Sequence, residues 1–227
     1  MDLTILIPCK NDKSNLNFLI DEIKKNYPDI SILIVTSKSD DIDYKIIEKY
    51  SNISQISQKT KGYGAALIEG ILHVKTKFFI IHNADGSFEV SKIAEMYDLS
   101  KSYDFVFCDR YIDKGGSEDD TIITFIGNKF FSKLGNLLFS LKISDILYTY
   151  IMGKTSSHKS LNILSNDFRY CVELPIKMQL AKMKYQCFPS YEKKRIAGKK
   201  KVNAFKDGFL ILTEMFRLFF KFKVFGN

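Results

Sequence analysis

Cysteine is scarce in this chain of 227 residues. There are four, Cys9, Cys108, Cys171 and Cys187, and no two form a C-x-x-C pair. That spacing indicates neither a zinc site nor a disulfide framework, and it fits reduced thiols in the cytosol. Long apolar runs are missing too. No stretch of about 20 uncharged apolar residues occurs, which argues against a membrane-spanning helix. The short apolar run after Met1-Asp2 ends at Pro8, and it is too short and too acidic at its start for a signal peptide. No internal repeat or low-complexity segment is visible. His73, His82 and His158 are scattered, so no Ser/His/Asp arrangement follows from spacing. His82, at a strand end, reads as a packed histidine rather than a ligand.

Apolar residues make up 45% of the chain, enough for one core and one domain with an appended piece. The net charge of +8 is uneven. Residues 193–206 read Lys-Lys-Arg-Ile-Ala-Gly-Lys-Lys-Lys-Val-Asn-Ala-Phe-Lys, while the first half is close to balanced. A basic balance suits nucleic acid, a membrane surface or phosphorylated ligands. Phe205 stands near the basic run, but there is no stacking platform and no nucleic-acid motif, so nucleic acid is not an expected partner.

Short apolar runs at 3–8, 30–35, 53–56, 78–82 and 105–108 predict strands. Helical patterns at 14–27, 44–50, about 62–73 and 90–100 alternate with them. Such alternation over a hundred residues predicts a doubly wound, mostly parallel sheet. The pattern changes after Gly115-Gly116. A long helix is expected over 121–141, a short strand over 148–152, a helix over 168–183 with Glu173 in its first turn, and an edge strand over 185–189. The last helix is expected over 209–225, with Glu214, Arg217 and Lys221 on one polar stripe and phenylalanines over most of the rest. Such a helix can lie in a bilayer interface, favoured by the adjacent lysines, or it can dock on its own domain or on a second subunit.

The run Phe78-Phe79-Ile80-Ile81 ends at Asn83-Ala84-Asp85. In open α/β sheets ligands bind at the carboxyl ends of strands. Asn83 and Asp85 offer hard oxygen ligands for Mg²⁺ or Mn²⁺, or they form an Asx turn; the residues alone leave both open. Lys61-Gly62-Tyr63-Gly64 opens a helix. Its glycines suit close approach of a ligand and the helix start suits an anion, though helix entry alone explains them equally.

In order, the chain shows Ile-Pro-x-x-Asn-Asp, Gly-x-Gly-Ala-Ala, Asn-Ala-Asp, Asp-Arg-Tyr with a Gly-Gly, Ile-Ser-Asp and an Arg-Ile-Ala-Gly-Lys-Lys-Lys run. This series resembles the family 2 glycosyltransferases of GT-A fold, and within them the dolichyl- or polyprenyl-phosphate sugar synthases, over residues 3–216. The resemblance implies that Pro8, Asn11 and Asp12 meet the nucleotide base, and that Lys61, Gly62, Gly64, Asn83, Ala84 and Arg110 line the donor site. It implies a metal held at Asn83, Asp85 and Ser87. It places Asp145 and Glu173 as acidic groups of the acceptor side and late helix, and Arg195, Gly198 and Lys201 as a loop closing over the diphosphate. Thr36 and Ser37 stand where the family usually has paired aspartates that reach the nucleoside. Asn83 replaces the first Asp of the metal motif, and Lys200 replaces a Ser. As bases for a hydroxyl acceptor, Asp145 and Glu173 have plain alternatives, a turn residue and a first-turn helix charge.

The expectation is therefore an inverting hexosyltransferase of GT-A type, with a mostly parallel central sheet flanked by helices and a C-terminal amphipathic helix. Residues 1–208 would form the catalytic domain, with a nucleotide half at 1–112 and an acceptor half at 113–208, followed by the helix at 209–227. Expected partners are a nucleotide-diphosphate sugar, a divalent metal and a polyprenyl phosphate at the inner membrane face, reached peripherally through the last helix and the basic loop. A glycan hydroxyl as acceptor, or a non-catalytic binding member, are the alternatives.

Overall fold

Strand β1 (Leu3–Cys9) is buried along almost its whole length. Parallel neighbours flank it on both sides, β2 (Ser31–Thr36) and β4 (Phe78–Ile81). These are the continuous apolar runs expected of strands covered on both faces. The computed structural model describes residues 1–10, 13–37, 44–196 and 203–224. With β3 (Ile53–Ser57), β5 (Phe105–Asp109), β7 (Ile151–Lys154) and β8 (Tyr185–Pro189), the sheet has the order β3-β2-β1-β4-β7-β5-β8. All neighbours pair parallel except β7, which runs antiparallel between β4 and β5. A two-stranded ribbon, β6 (Gly116–Ser117) with β9 (Tyr191–Glu192), stands apart from the main sheet.

Successive strand residues point to opposite faces, so each strand feeds two cores. Leu3, Ile5, Ile7, Ile32 and Ile34 meet α1 (Lys13–Asn26) through Leu16, Leu19, Ile20 and Ile23, and α4 (Ile93–Ser100) through Ile93 and Met96. The opposite core takes Leu6, Val35, Phe79 and Phe107. It is closed by α3 (Tyr63–His73), α5 (Ile122–Phe139), α7 (Tyr170–Leu180) and α8 (Ala204–Phe219). Short helices α2 (Tyr44–Lys49) and α6 (Thr155–Ser160) complete the set.

Three expectations shift. The strand after α5 lies at 151–154, where its residues pair with β4 and β5; Gly153 lets it pass beside Phe105 and Phe79, for a Cβ there would stand 2.7 Å from the Phe105 ring. The helix expected over 168–183 is shorter at both ends. The last helix starts at Ala204, capped by Asn203 Oδ1, which accepts from the Lys206 amide at 3.0 Å. Its polar stripe does not face water as a whole. Glu214 is buried beside Ile211, Met215 and Leu218, where Arg217 pairs with it, while Phe205, Phe209, Phe216 and Phe220 face out. The helix packs on α5 and α7.

Candidate active site

The turn after β4 carries Asn83-Ala84-Asp85-Gly86-Ser87. Asp85 Oδ1 accepts from the Ser87 amide at 3.1 Å and from its hydroxyl at 2.8 Å. The Asx turn foreseen as the plain alternative is thus present, and it fixes the carboxylate. Ser87 is buried and spends its proton on Asp85, so it orients that carboxylate. Ala84 is buried beneath the turn. Asn83 Oδ1 accepts from the Tyr63 hydroxyl at 3.0 Å, and that hydroxyl also meets Thr149 Oγ1 at 2.7 Å. Tyr63 in turn stacks on Phe168.

A strap crosses this turn. Pairing of β9 with β6 delivers residues 193–196 onto it: the Lys193 amide donates to the Ser87 carbonyl at 2.9 Å and the Ile196 amide to the Asp85 carbonyl at 3.0 Å. Gly86 has φ +74°, a conformation that favours glycine, and a Cβ there would also press on the movable end of the Ile196 side chain, 2.5 Å from Cδ1. Arg195 consequently lies between two carboxylates. Its Nη1 is 3.8 Å from Asp85 Oδ2, and its Nη2 is 2.8 Å from Asp119 Oδ2. The Asp119 hydrogen bond outweighs burial and raises the guanidinium pKa above its ordinary value.

Beneath the strap sits a second ionic group. Arg110, nearly buried, donates from Nε and Nη2 to both oxygens of Asp145, at 2.7 and 2.9 Å, and from Nη1 to Glu192 at 2.7 Å. Asn128 also donates to Asp145, and Ser117 to Glu192. Tyr148 lies 4.4 Å from the guanidinium. This changes two expectations. Arg110 was expected to line the donor site; in the structure three of its five N–H groups brace β5, the 144–147 turn and β9 against one another. Asp145 was expected to serve the acceptor, but both its oxygens are held in that brace. Asp109, one residue before Arg110, is likewise occupied by Ser144 and the Tyr111 amide.

Glu173 is fully buried. Its oxygens accept from the Leu164 and Ser165 amides at 2.7–3.1 Å and pair with Lys177 at 2.6 Å. Burial alone would favour its protonated form, but Lys177 and Ser165 outweigh it and hold the carboxyl below the usual range. Its visible task is to fasten residues 164–165. That loop explains the two glycines before α3. A Cβ on Gly62 would stand 2.0 Å from the Asn166 carbonyl oxygen, and one on Gly64 2.1 Å from that of Ser165. The Ala65 amide donates to the Asn166 carbonyl at 2.9 Å. The close approach that these glycines allow is therefore to protein backbone, and one amide at the helix start, that of Ala65, is taken by a carbonyl.

Of the remaining expected residues, Pro8 is the last but one of β1, opposite Val35, and Lys61 is exposed. Thr36 is buried, with its hydroxyl donating to the Ile56 carbonyl and accepting from Gln55. That hydroxyl is thus tied to β3; Ser37 follows, half-buried. Asn11, Asp12, Gly198, Lys200 and Lys201 lie outside the described residues. His82 is buried between Phe88 and Tyr150, and burial pushes its pKa down to about 4. Among the described residues no group of three or more His, Cys, Asp or Glu side chains is placed to hold a metal.

Tyr63, Asp119 and Glu192 were not foreseen. A signal existed for Asp119: Glu118-Asp119-Asp120 is an acidic run in a basic chain, complementary to Lys193-Lys194-Arg195. The Lys194 amide donates to Glu118 at 3.2 Å, so the two runs do meet.

The description "Glycosyl transferase family 2" is that of the family model matching residues 4–161. A search of curated proteins finds no match. Among solved structures, the glucosyl-3-phosphoglycerate synthase of Mycobacterium tuberculosis, crystallised with Mn²⁺, UDP and phosphoglyceric acid, is 12% identical with a TM-score of 0.70. The match covers 96% of this chain and 78% of that one. The mannosyl-3-phosphoglycerate synthase of Rubrobacter xylanophilus is 15% identical with a TM-score of 0.66, covering 95% and 72%. At these identities the likeness is one of fold, and it bears out the GT-A architecture. With well over half of its residues matched by the family model, the chain belongs to glycosyl transferase family 2.

Proposed function

We propose that the protein transfers a hexose from a nucleotide-diphosphate sugar to a phosphate acceptor, a polyprenyl phosphate at the inner surface of the membrane, with inversion at the anomeric carbon. The observation that carries the donor side is the place of Arg195, strapped across the Asp85 turn. A fixed guanidinium there can take a leaving diphosphate through two parallel hydrogen bonds. Mg²⁺ or Mn²⁺ fits the donor set. Asp85 Oδ2 accepts none of the bonds that fix Oδ1, and one carboxylate beside substrate phosphates is an ordinary way of holding such an ion. Asp85 would hold it, with the Asn83 amide oxygen alongside, and the ion would neutralise charge on the departing diphosphate. The structural neighbours support this reading: the mycobacterial synthase was crystallised with Mn²⁺ and UDP-glucose.

The acceptor side follows from what Asp145 and Glu173 do. A sugar hydroxyl needs a carboxylate base within hydrogen-bond reach. Both expected bases are engaged with protein groups instead. A phosphate monoester, with a second pKa of about 6, is largely ionised at neutral pH and attacks without such help. This favours a phosphate oxygen over a glycan hydroxyl. The test is thermal shift with a panel of nucleotide-diphosphate sugars, with and without Mn²⁺, on wild type and Asp85→Ala. A Mn²⁺-dependent rise with one nucleotide, absent in the variant, is expected, because a ligand bound only by the folded state raises the melting temperature. If no nucleotide shifts the folded wild type, the chain is a binding member without turnover.

A further inference from the structure

The helix α5 is two-sided in an unusual sense. One side, with Phe131, Gly135 and Phe139, is packed inward. The side directly opposite carries Ile122, Ile123, Ile126 and Phe130, which remain open; Ile122 keeps 79% of its surface exposed. The neighbouring α8 does the same, with Phe205 and Phe209 at 85% and 67% exposed. The two helices pack side by side, and Phe131 lies against Gly208. Exposed apolar side chains thus line the outward faces of two neighbouring helices rather than standing singly.

We infer that the adjoining outward faces of α5 and α8 dock on an anionic lipid bilayer. The inference rests on the lipid-phosphate reading above and gives that reading its surface. Charge selects the occupant. From Ile122 to Phe139 there is no Asp or Glu, only Lys129 and Lys133. Lys206 adds an exposed cation on α8, and Glu214 is turned inward onto Arg217. Of the nearby acids, Asp119 is ion-paired with Arg195; Asp120, held by Tyr111 and Thr124, and Asp207, held by the Asn203 amide, keep their charge against Lys129, Lys133 and Lys206. Apolar side chains fringed by lysine suit an interface of acyl chains and anionic headgroups. A second copy suits it less, because a two-fold interface would set the same lysines against each other. The surface also adjoins the site, since Asp119, just ahead of α5, holds Arg195. A lipid phosphate in the headgroup layer would thus stand beside the diphosphate clamp.

Flotation of the full chain with liposomes tests this. Vesicles of phosphatidylcholine alone are compared with vesicles of phosphatidylcholine and phosphatidylglycerol, for wild type, the Ile122→Glu/Ile126→Glu variant and the Phe205→Glu/Phe209→Glu variant. Wild type is expected to float with the anionic vesicles, and each variant to lose about tenfold or more of its partitioning. Because all four residues are exposed, the variants should keep the melting temperature and the nucleotide response of wild type. Wild type that stays in solution, or variants that float equally well, would overturn the inference. So would a dimer, seen by light scattering, that the same substitutions dissociate. An intact nucleotide response in those cases leaves the transferase reading standing while docking falls.

Discussion

Asp119 belongs to no motif, yet it determines where the Arg195 guanidinium points. If Arg195 acts on the leaving diphosphate, Arg195→Ala should lower kcat by about a hundredfold or more, the usual scale for losing one fixed donor to developing charge. Arg195→Lys should recover little, since a point charge does not replace a planar fork. Asp119→Asn should fall between, about tenfold, with KM moving less than kcat. Single-turnover kinetics separates these, and an Arg195→Ala enzyme with wild-type kcat would remove Arg195 from the mechanism. A second residue-scale expectation concerns His158, buried with Nε2 at 2.8 Å from the Tyr170 hydroxyl. Burial pushes its pKa from 6.5 down to about 3. The unfolded chain therefore binds a proton that the folded protein refuses throughout that window. Stability is complete above 6.5 and falls as the pH drops, by about 1.4 kcal/mol per unit for this one group. Urea midpoints at neutral and mildly acid pH should show a shallower decline for His158→Gln than for wild type. Equal slopes would mean that the imidazole is not held neutral.

At the scale of elements, the first hundred residues obey their periodicity. Leu16, Leu19, Ile20 and Ile23 repeat at helical spacing and bury one face of α1; Thr121 and Thr124 form a reciprocal cap that starts α5 where the pattern placed it. β7 was less legible, because a four-residue strand owes its direction and bounds to the edges it fits between rather than to its own sequence. The glycines before α3 were legible as special positions but not in purpose, since the Asn166 backbone that approaches them is a hundred residues away. Gly64→Ala should accordingly destabilise the protein by about 1–3 kcal/mol, the range for forcing an atom into a packed site. A lower urea midpoint at unchanged m is the readout; an unaltered midpoint would mean that the 165–167 loop gives way freely.

For the whole molecule, the question is whether the last helix is an appendage. The sequence suggested a boundary near 208, but Ile211, Met215 and Leu218 lie in the same core as Phe79 and Phe107. Loss of a single large core side chain commonly costs about 2–5 kcal/mol, against a total stability of about 5–15 kcal/mol. A chain ending at residue 203 should therefore lack a cooperative thermal transition. A truncated protein that melts like the full chain would show that α8 is dispensable to the fold. No helix among the described residues is long and apolar enough to cross a membrane.

The layered α/β plan, the turn after β4 where Asp85 stands, and the family were all legible along the chain, because these rest on local signals: buried apolar runs, caps, and an ordered series of short motifs. Tertiary structure decided the rest. It turned Glu214 inward and the α8 phenylalanines outward, since a helix carrying phenylalanine on most sides can bury only the one that its neighbours accept. It spent Arg110, Asp145 and Glu173 on bracing and left Arg195 against Asp85. A charged side chain's task depends on which opposite charge arrives beside it, and partners 35 to 110 positions apart are brought together only by the fold.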